Sequence, residues 1–408
     1  MTQSSHLPHF RTWLASLEEE ELATILRNRP DVLNPLPPSI AALATRLLLR
    51  TSIARALMNC TARQLAEIED IARRGGELEE VEDLNPDITR QLKERGLAYG
   101  NILIPPEVMP ALPTGWSLLD QVQVSPEDIA ELPAEERKVL ETLSRSNGLG
   151  TTRDAAIDAD PARPIPRLIA KQLLQRVDAT TVRLPRAVHL ALNGKPTAPI
   201  PVEGITESPA PDPKADDAGT AAGLSAVRGM QRVIDALGAR PIELLKDKTV
   251  GVRQLTNLSK TLTIDEGELR RLIELGMSAR LLSRGEPKNF EGNFLAPTEL
   301  SQDWLDAGLA EKWQLLLEAW TASPWTKEGR TLAHTNDRLP EFRQKVLQVY
   351  LRGAKPTFEE SLRFHFPLFA THTSDETIAE LRAEAEWIGA IALERPTSVL
   401  IDAPDAAA

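Results

Sequence analysis

A short pattern recurs along this chain and restricts its folding more than any other feature. Ile104-Pro105-x-x-Val108-x-x-Ala111-Leu112 is matched at identical spacing by Leu184-Pro185-x-x-Val188-x-x-Ala191-Leu192. Proline has no N–H to give to a strand ladder, so a strand is expected to end at each proline. A helical turn starting after it can bury the Val and Leu. Ala296-Pro297-x-x-Leu300 repeats the pattern in part, with Trp304-Leu305 in place of Ala-Leu. Recurrence after the same series of elements reads as a repeat.

The elements leading to each match support that reading. A helix over 61–74 ends at Gly75-Gly76, and a short helix covers 78–84. Asn85-Pro86-Asp87 then supplies a cap, a proline at the first helical position and an acid in the first turn. That helix ends at Gly96. Leu97-Ala98-Tyr99, the turn Gly100-Asn101 and Ile102-Leu103-Ile104 read as a small β-hairpin. Three helices and a hairpin follow one another as in a winged helix-turn-helix. The second copy has a helix over 134–146, a middle element over 153–157, a third helix over 167–176 and a strand over 181–184. The third copy has a helix over 226–237 and another that starts at Gly251-Val252-Arg253 and runs through Leu258. Its third helix spans 264–275, with Thr263 and Glu266 spaced as a capping box and Gly276 as its end. Residues 279–282 and 293–295 make its hairpin, with a longer wing. An amphipathic helix over 312–320 then aligns Trp313, Leu316, Leu317 and Trp320. A weaker fourth copy has helices over 340–352, 358–364 and 374–387, the last capped by Ser374. Its hairpin pairs 388–393 with 398–401.

Ahead of the copies, Phe10, Trp13, Leu14 and Leu17 recur at helical spacing. A second helix opens at 18–21 and stops before Pro30. Ser39 caps a third, and Ser52 caps a shorter fourth through Ile53 and Leu57. The expected fold is mainly α: an N-terminal helical bundle (1–60) followed by winged-helix-like units with small β-hairpins. The units span 61–124, 125–194, 223–330 (with the amphipathic helix) and, more weakly, 331–401. A disordered linker over 195–222 separates the second and third, because its six prolines and its Asp, Ala and Gly bury too little apolar surface to order it. A disordered tail (402–408) closes the chain.

This series resembles the actinobacterial helicase-associated proteins, a family similar to the N-terminal domain of XPB-type helicases. The residues that carry the resemblance are Phe10-x-x-Trp13-Leu14 with Leu17-x-x-x-Glu21-Leu22, then Arg27-x-Arg29-Pro30-Asp31. Leu43-Ala44-x-Arg46-Leu47 leads into Ser52-x-Ala54-Arg55-Ala56-Leu57. Further on stand Gly251-Val252-Arg253-x-Leu255, and Trp304-Leu305 before Trp313-x-x-Leu316-x-x-x-Trp320. Members of the family are longer and continue into a further region, so the resemblance implies either a short member or part of a longer protein. The resemblance implies an accessory role near helicases or in genome maintenance. The motor itself is absent, since no Gly-x-x-x-x-Gly-Lys-Ser/Thr occurs. Gly194-Lys195-Pro196-Thr197 has His189 where the upstream glycine belongs.

Other chemistry is sparse. The six histidines have no Cys or carboxylate at metal-ligand spacing, so neither a metal nor a cofactor is expected. Cys60 follows an apolar helix, where an inert thiol is the default, and no Gly-x-Ser-x-Gly elbow is present. The acidic run over 77–83 reads as a solvated face. A single cysteine and no signal peptide or membrane span point to the cytoplasm. The formal net charge of -12 argues against coating nucleic acid nonspecifically, but a local basic face can still grip duplex DNA.

Third helices and wings are where such a face would lie. The first copy offers Arg90, Lys93 and Arg95; the second, Arg167, Lys171 and Arg176. The third offers Arg270 and Arg271, with Arg280, Arg284 and Lys288 on or near its wing, opposed by Glu266, Glu268 and Glu274. Three roles follow: a non-catalytic DNA-associated accessory protein, a protein-interaction scaffold, or the subunit of a helicase whose motor is on another chain. DNA binding requires a contiguous basic face. A scaffold requires acidic or apolar exposed faces, with these cations paired to carboxylates.

Overall fold

The computed structural model describes residues 9–112, 124–146, 148–194, 210–288, 290–352 and 357–402. The chain is mainly helical with small antiparallel sheets. It divides into two compact units, Met1–Gly204 with Arg363–His372, and Ile205–Leu362 with Thr373–Ala408. Among the described residues no helix is long and apolar enough to cross a membrane.

The first unit opens with α1 (Phe10–Ala15), α2 (Glu19–Asn28), α3 (Ile40–Leu47) and α4 (Arg50–Met58). Ser39 caps α3 by accepting from Ala42 N–H. Ser52 is not a cap; it lies inside α4, 5% exposed. Its hydroxyl accepts from the Arg29 guanidinium and donates to Asp31. Arg29 is 1% exposed and also donates to the carbonyls of Leu47 (3.0 Å) and Arg95 (2.9 Å). Burial alone would lower the Arg29 pKa, and Asp31 opposes that. The core of these helices takes in Tyr99 and Leu103, and Phe10 meets Tyr99 edge-on at 5.5 Å. The bundle and the residues after α5 therefore share one core.

Next come α5 (Ala62–Arg73), α6 (Pro86–Lys93) and α7 (Val108–Ala111). Thr61 and Gln64 form a capping box for α5, and Asn85 Oδ1 accepts from the N–H groups of Asp87 and Ile88 to start α6. The helix expected over 78–84 does not form. Val81 N–H is committed instead to the carbonyl of Ile102 (3.2 Å), and Asp83 turns left-handed at φ 57. The expected hairpin reduces to one bridge, Tyr99 to Leu103.

The unit continues with α8 (Pro126–Ala130), α9 (Ala134–Arg145), β1 (Leu149–Thr151), a 3-10 turn (Arg153–Ala155) and α10 (Pro164–Ala170). β2 (Gln175–Arg176), β3 (Thr181–Arg183) and α11 (Arg186–Leu192) complete the run, and the strands form an antiparallel sheet in the order β1-β3-β2. The third helix thus starts and stops earlier than its expected span of 167–176. Gln172, at φ 60, turns the chain out of α10 and into β2.

The second unit begins with α12 (Pro213–Ala239), well inside the expected linker. Asp212 caps it by accepting from Lys214 N–H, and Pro213 suits the first helical position. Asp216 then accepts from Ser398 N–H (2.6 Å) and Ser398 Oγ (2.7 Å). Tertiary contact thus orders a stretch whose composition reads as a linker. The rest of that linker, 195–209, and most of the expected tail lie outside the described residues.

Around α12 fold β4 (Ile242–Glu243), α13 (Val252–Leu262), α14 (Glu266–Ser278), β5 (Leu282–Gly285) and β6 (Phe294–Pro297), with sheet order β4-β6-β5. Asp265, not Thr263, caps α14; Thr263 turns left-handed at φ 51 and closes α13. Gly276 does not end α14. It sits inside the helix, where a Cβ would lie 2.8 Å from the Leu282 side chain.

Then follow α15 (Leu300–Asp306), α16 (Leu309–Thr321), α17 (Leu339–Leu351), α18 (Phe358–His365) and α19 (Pro367–His372), the last belonging to the first unit. α20 (Asp375–Ile388) is capped by Ser374. β7 (Ile391–Ala392), β8 (Arg395–Pro396) and α21 (Ser398–Asp402) end the described chain. The last hairpin is shorter than expected, because the stretch from Ser398 is helical.

One backbone device recurs at helix ends among the described residues, α6, α10, α14 and α20 among them. After α6, α10, α14 and α20 a left-handed residue appears: Gly96, Gln172, Arg280 and Gly389. The next N–H bonds back to a carbonyl in the helix at 2.9 Å: Leu97 to Leu92, Leu173 to Leu168, Leu281 to Gly276 and Ala390 to Ala385. This is the six-to-one bond of a Schellman turn, and it turns the chain back out of the helix. A proline ends the returning segment each time, at 105, 185, 297 and 396.

Candidate functional site

The cations singled out by the sequence are placed on or near third helices and wings, and the structure gives seven of the eleven (Arg90, Arg167, Lys171, Arg176, Arg270, Arg271 and Arg284) partners within the chain. Glu136 stands in the first turn of α9 with its side chain 1% exposed. A carboxylate so buried needs charged partners. Arg167 Nε lies 2.9 Å from its Oε1, and Lys171 Nζ lies 2.7 Å from its Oε2. Arg176 is in β2, not on a helix, and its guanidinium donates to the carbonyls of Ala155 and Ala156. These three side chains fasten α10, the 3-10 turn and β2 to their surroundings.

On α6, Arg90 is exposed but sits between Asp87 (3.5 Å) and Glu94 (2.8 Å), and both raise its pKa. Lys93 is half-buried. Arg95 lies beyond the helix end, and its carbonyl receives Arg29.

The third set is more thoroughly engaged. Arg270 donates to Lys327 O at 2.9 Å. Arg271 lies over the Trp387 ring, 5.8 Å from its centroid. Arg284 donates to Leu332 O at 3.0 Å and stacks on Trp325 at 5.1 Å, and burial lowers its pKa. The start of α14 is acidic: Asp265 and Glu266 are exposed and Glu268 is half-buried. Arg280 and Lys288 are exposed.

Of these groups Arg271 borders a cavity of about 30 Å³ within the second unit, lined also by Glu274, Glu384, Arg343, Trp320, Trp325 and Trp387. That space suits one or two waters and is far below what a metabolite needs. Glu384 accepts from Arg343 Nε (3.1 Å) and Trp320 Nε1 (3.2 Å), which leaves it little capacity for a substrate. Glu274, 7% exposed, accepts from Leu332 N–H at 3.3 Å. Burial pushes its carboxyl up to about 7; the Leu332 N–H, Arg270 and Arg343 pull the other way, and Glu384 adds to the rise.

Among the described residues, Cys60 and the histidines are those the sequence offers for nucleophilic and metal chemistry. Burial raises the Cys60 thiol to about 11, so it stays protonated and unreactive. No group of three or more His, Cys, Asp or Glu residues there is arranged to hold a metal ion. His189 Nδ1 bonds Ser144 Oγ (2.9 Å) and His372 Nδ1 bonds Leu368 O (2.7 Å), both serving packing.

Sequence reasoning missed Glu136, Glu384 and Arg343, and it named Glu274 only as an acid opposing the cations of the third copy. Glu136 reads as an ordinary first-turn acid, and only the approach of α10 gives it two cations. Arg343 and Glu384 are far apart in sequence, and no local pattern announces their pairing. No family model, no curated protein and no solved structure matches the chain.

Proposed function

We propose that this protein is a non-catalytic scaffold of winged-helix-like units that binds a partner protein. The observation that carries the reading is the internal use of the third-helix cations, above all Arg167 and Lys171 on the buried Glu136. A groove-reading helix presents its cations to phosphates and bases. Here they meet carboxylates, carbonyls and indole rings of the same unit. The winged-helix reading is supported by the order helix, strand, helix, helix, hairpin in the region with sheet order β4-β6-β5, and by the same order with a 3-10 turn as its second helix in the region with β1-β3-β2. The formal net charge of -12 agrees with a partner other than bare DNA.

The resemblance to helicase-associated proteins suggests the setting: an accessory chain whose motor partner is separate. A co-purifying ATPase would support that placement.

The deciding experiment is fluorescence anisotropy of the full chain with duplex and single-stranded DNA, at low and at physiological salt. The scaffold reading expects no binding at physiological salt and at most weak binding at low salt. Tight duplex binding that weakens steeply with salt, and falls when Arg167, Lys171 and Arg176 become Ala, would replace it with a DNA-binding role.

A further inference from the structure

Residues 323–336, between α16 and α17, contain no helix, and their only ladder contact is a bridge from Trp325 to Thr335. The stretch lies along the third helix and hairpin of the α12–β6 region. Ser323 Oγ bonds Ser278 Oγ at 2.9 Å. The carbonyls of Lys327 and Leu332 accept from Arg270 and Arg284, and Leu332 N–H donates to Glu274. Thr331 O accepts from Val250 N–H at 3.2 Å, and Arg330 pairs with Asp247 at 2.6 Å. Trp325 stacks on Arg284. In a winged-helix unit this is the face left open for a ligand.

We propose that the groove between α14 and β5 is a peptide-binding groove, occupied here by the chain's own strap 323–336. An extended partner segment with an aromatic and an aliphatic residue, spaced as Trp325 and Leu332 are, displaces it. This proposal rests on the scaffold reading and names the chemistry of its partner.

The strap displays what the groove accepts: main-chain carbonyls for two arginines, an aromatic ring for the Arg284 guanidinium, and an aliphatic side chain for the floor. It is also built to leave. Leu332 is its one large, fully buried apolar side chain, 2% exposed. That residue is held at φ 64, a left-handed conformation that costs a leucine energy. Residues 327–330 are exposed. Glu274, whose carboxyl burial holds near neutrality, is covered by the strap and faces Arg270, Arg343 and Glu384, with Arg271 and Lys327 also at the cavity. Nucleic acid fits this groove poorly, because Asp265, Glu266 and Glu268 stand where phosphates meet a recognition helix.

The test uses the full chain and a fluorescein-labelled synthetic peptide of sequence 323–336. The strap-weakened variant, Trp325→Ala with Leu332→Ala, is expected to bind the peptide at least about tenfold more tightly than wild type, since its groove is open for a larger fraction of the time. Arg284→Ala in that background is expected to abolish binding, as is a peptide with alanine at both anchor positions. Hydrogen exchange on the wild type needs no variant. The strap amides are expected to exchange about tenfold faster than those buried in α14 and α16. Strap exchange as slow as that of α14 would overturn the proposal. So would absence of peptide binding to a weakened variant that keeps its circular dichroism and melting. Salt-steep duplex binding by that variant, without peptide binding, would reassign the groove to nucleic acid. None of these failures touches the wild-type DNA titration on which the scaffold reading is judged, so the two can fail separately.

Discussion

Replacing Glu274 with glutamine tests the electrostatics of the second unit directly. Burial moves this carboxyl from its ordinary 4.5 to about 7 in the folded chain. Each tenfold change in proton affinity is worth ~1.4 kcal/mol, so at high pH the ionised side chain costs the fold about 3 kcal/mol. The sign follows from where protons bind. Between pH 4.5 and 7 the folded state holds a proton that the unfolded state has released, so stability falls as pH rises through that window. Glutamine keeps an acceptor for Leu332 N–H and does not titrate. Glu274→Gln is therefore expected to match wild type near pH 4.5, gain steadily above it, and level off above pH 7 at about 3 kcal/mol more stable. The assay is urea unfolding from pH 4.5 to 8.5, read by tryptophan fluorescence, because Trp320, Trp325 and Trp387 line the same cavity. A difference between variant and wild type that is flat across the window, or that runs the other way, would refute the reasoning.

Other substitutions test the packing and the caps. Arg29→Ala leaves Asp31 without its cation and the Leu47 and Arg95 carbonyls without this donor, and should destabilise the first unit by about 3 kcal/mol or more, read by thermal melting. Gly223→Ala would place a Cβ 2.2 Å from the Trp313 ring, which Ile388 O holds through Nε1 at 2.8 Å. Overpacking there should cost about 2 kcal/mol, despite alanine's better helix propensity. Asn85→Ala removes the α6 cap and should cost about 1 kcal/mol, visible as faster exchange of the Asp87 and Ile88 amides.

Local chemistry was legible wherever the signal and its effect are neighbours in the chain. Asn85-Pro86-Asp87 starts α6, Ser39 caps α3, Ser374 caps α20, and Gly75 and Gly96 turn left-handed after their helices. The β5–β6 hairpin lies close to its expected place. Errors arose where a distant group competed for the same backbone or side chain. Val81 went to Ile102 instead of a helix, Ser52 went to Arg29 instead of a cap, and Gly276 received Leu282 instead of ending α14. In the candidate site, the sequence pointed to the cations but not to their partners.

By itself, then, the sequence determined a mainly helical chain and the starts and stops of many of its helices. Propensity, capping and proline geometry act within a few residues, so they can be read in order along the chain. Only the tertiary structure decided which charges are spent. Arg167 and Lys171 were open to any anion until α9 brought Glu136 beneath them. Arg270 and Arg284 were open until residues 323–336 crossed their face. A carboxylate taken out of water must find its counter-charge, and the three-dimensional fold chooses which one it meets.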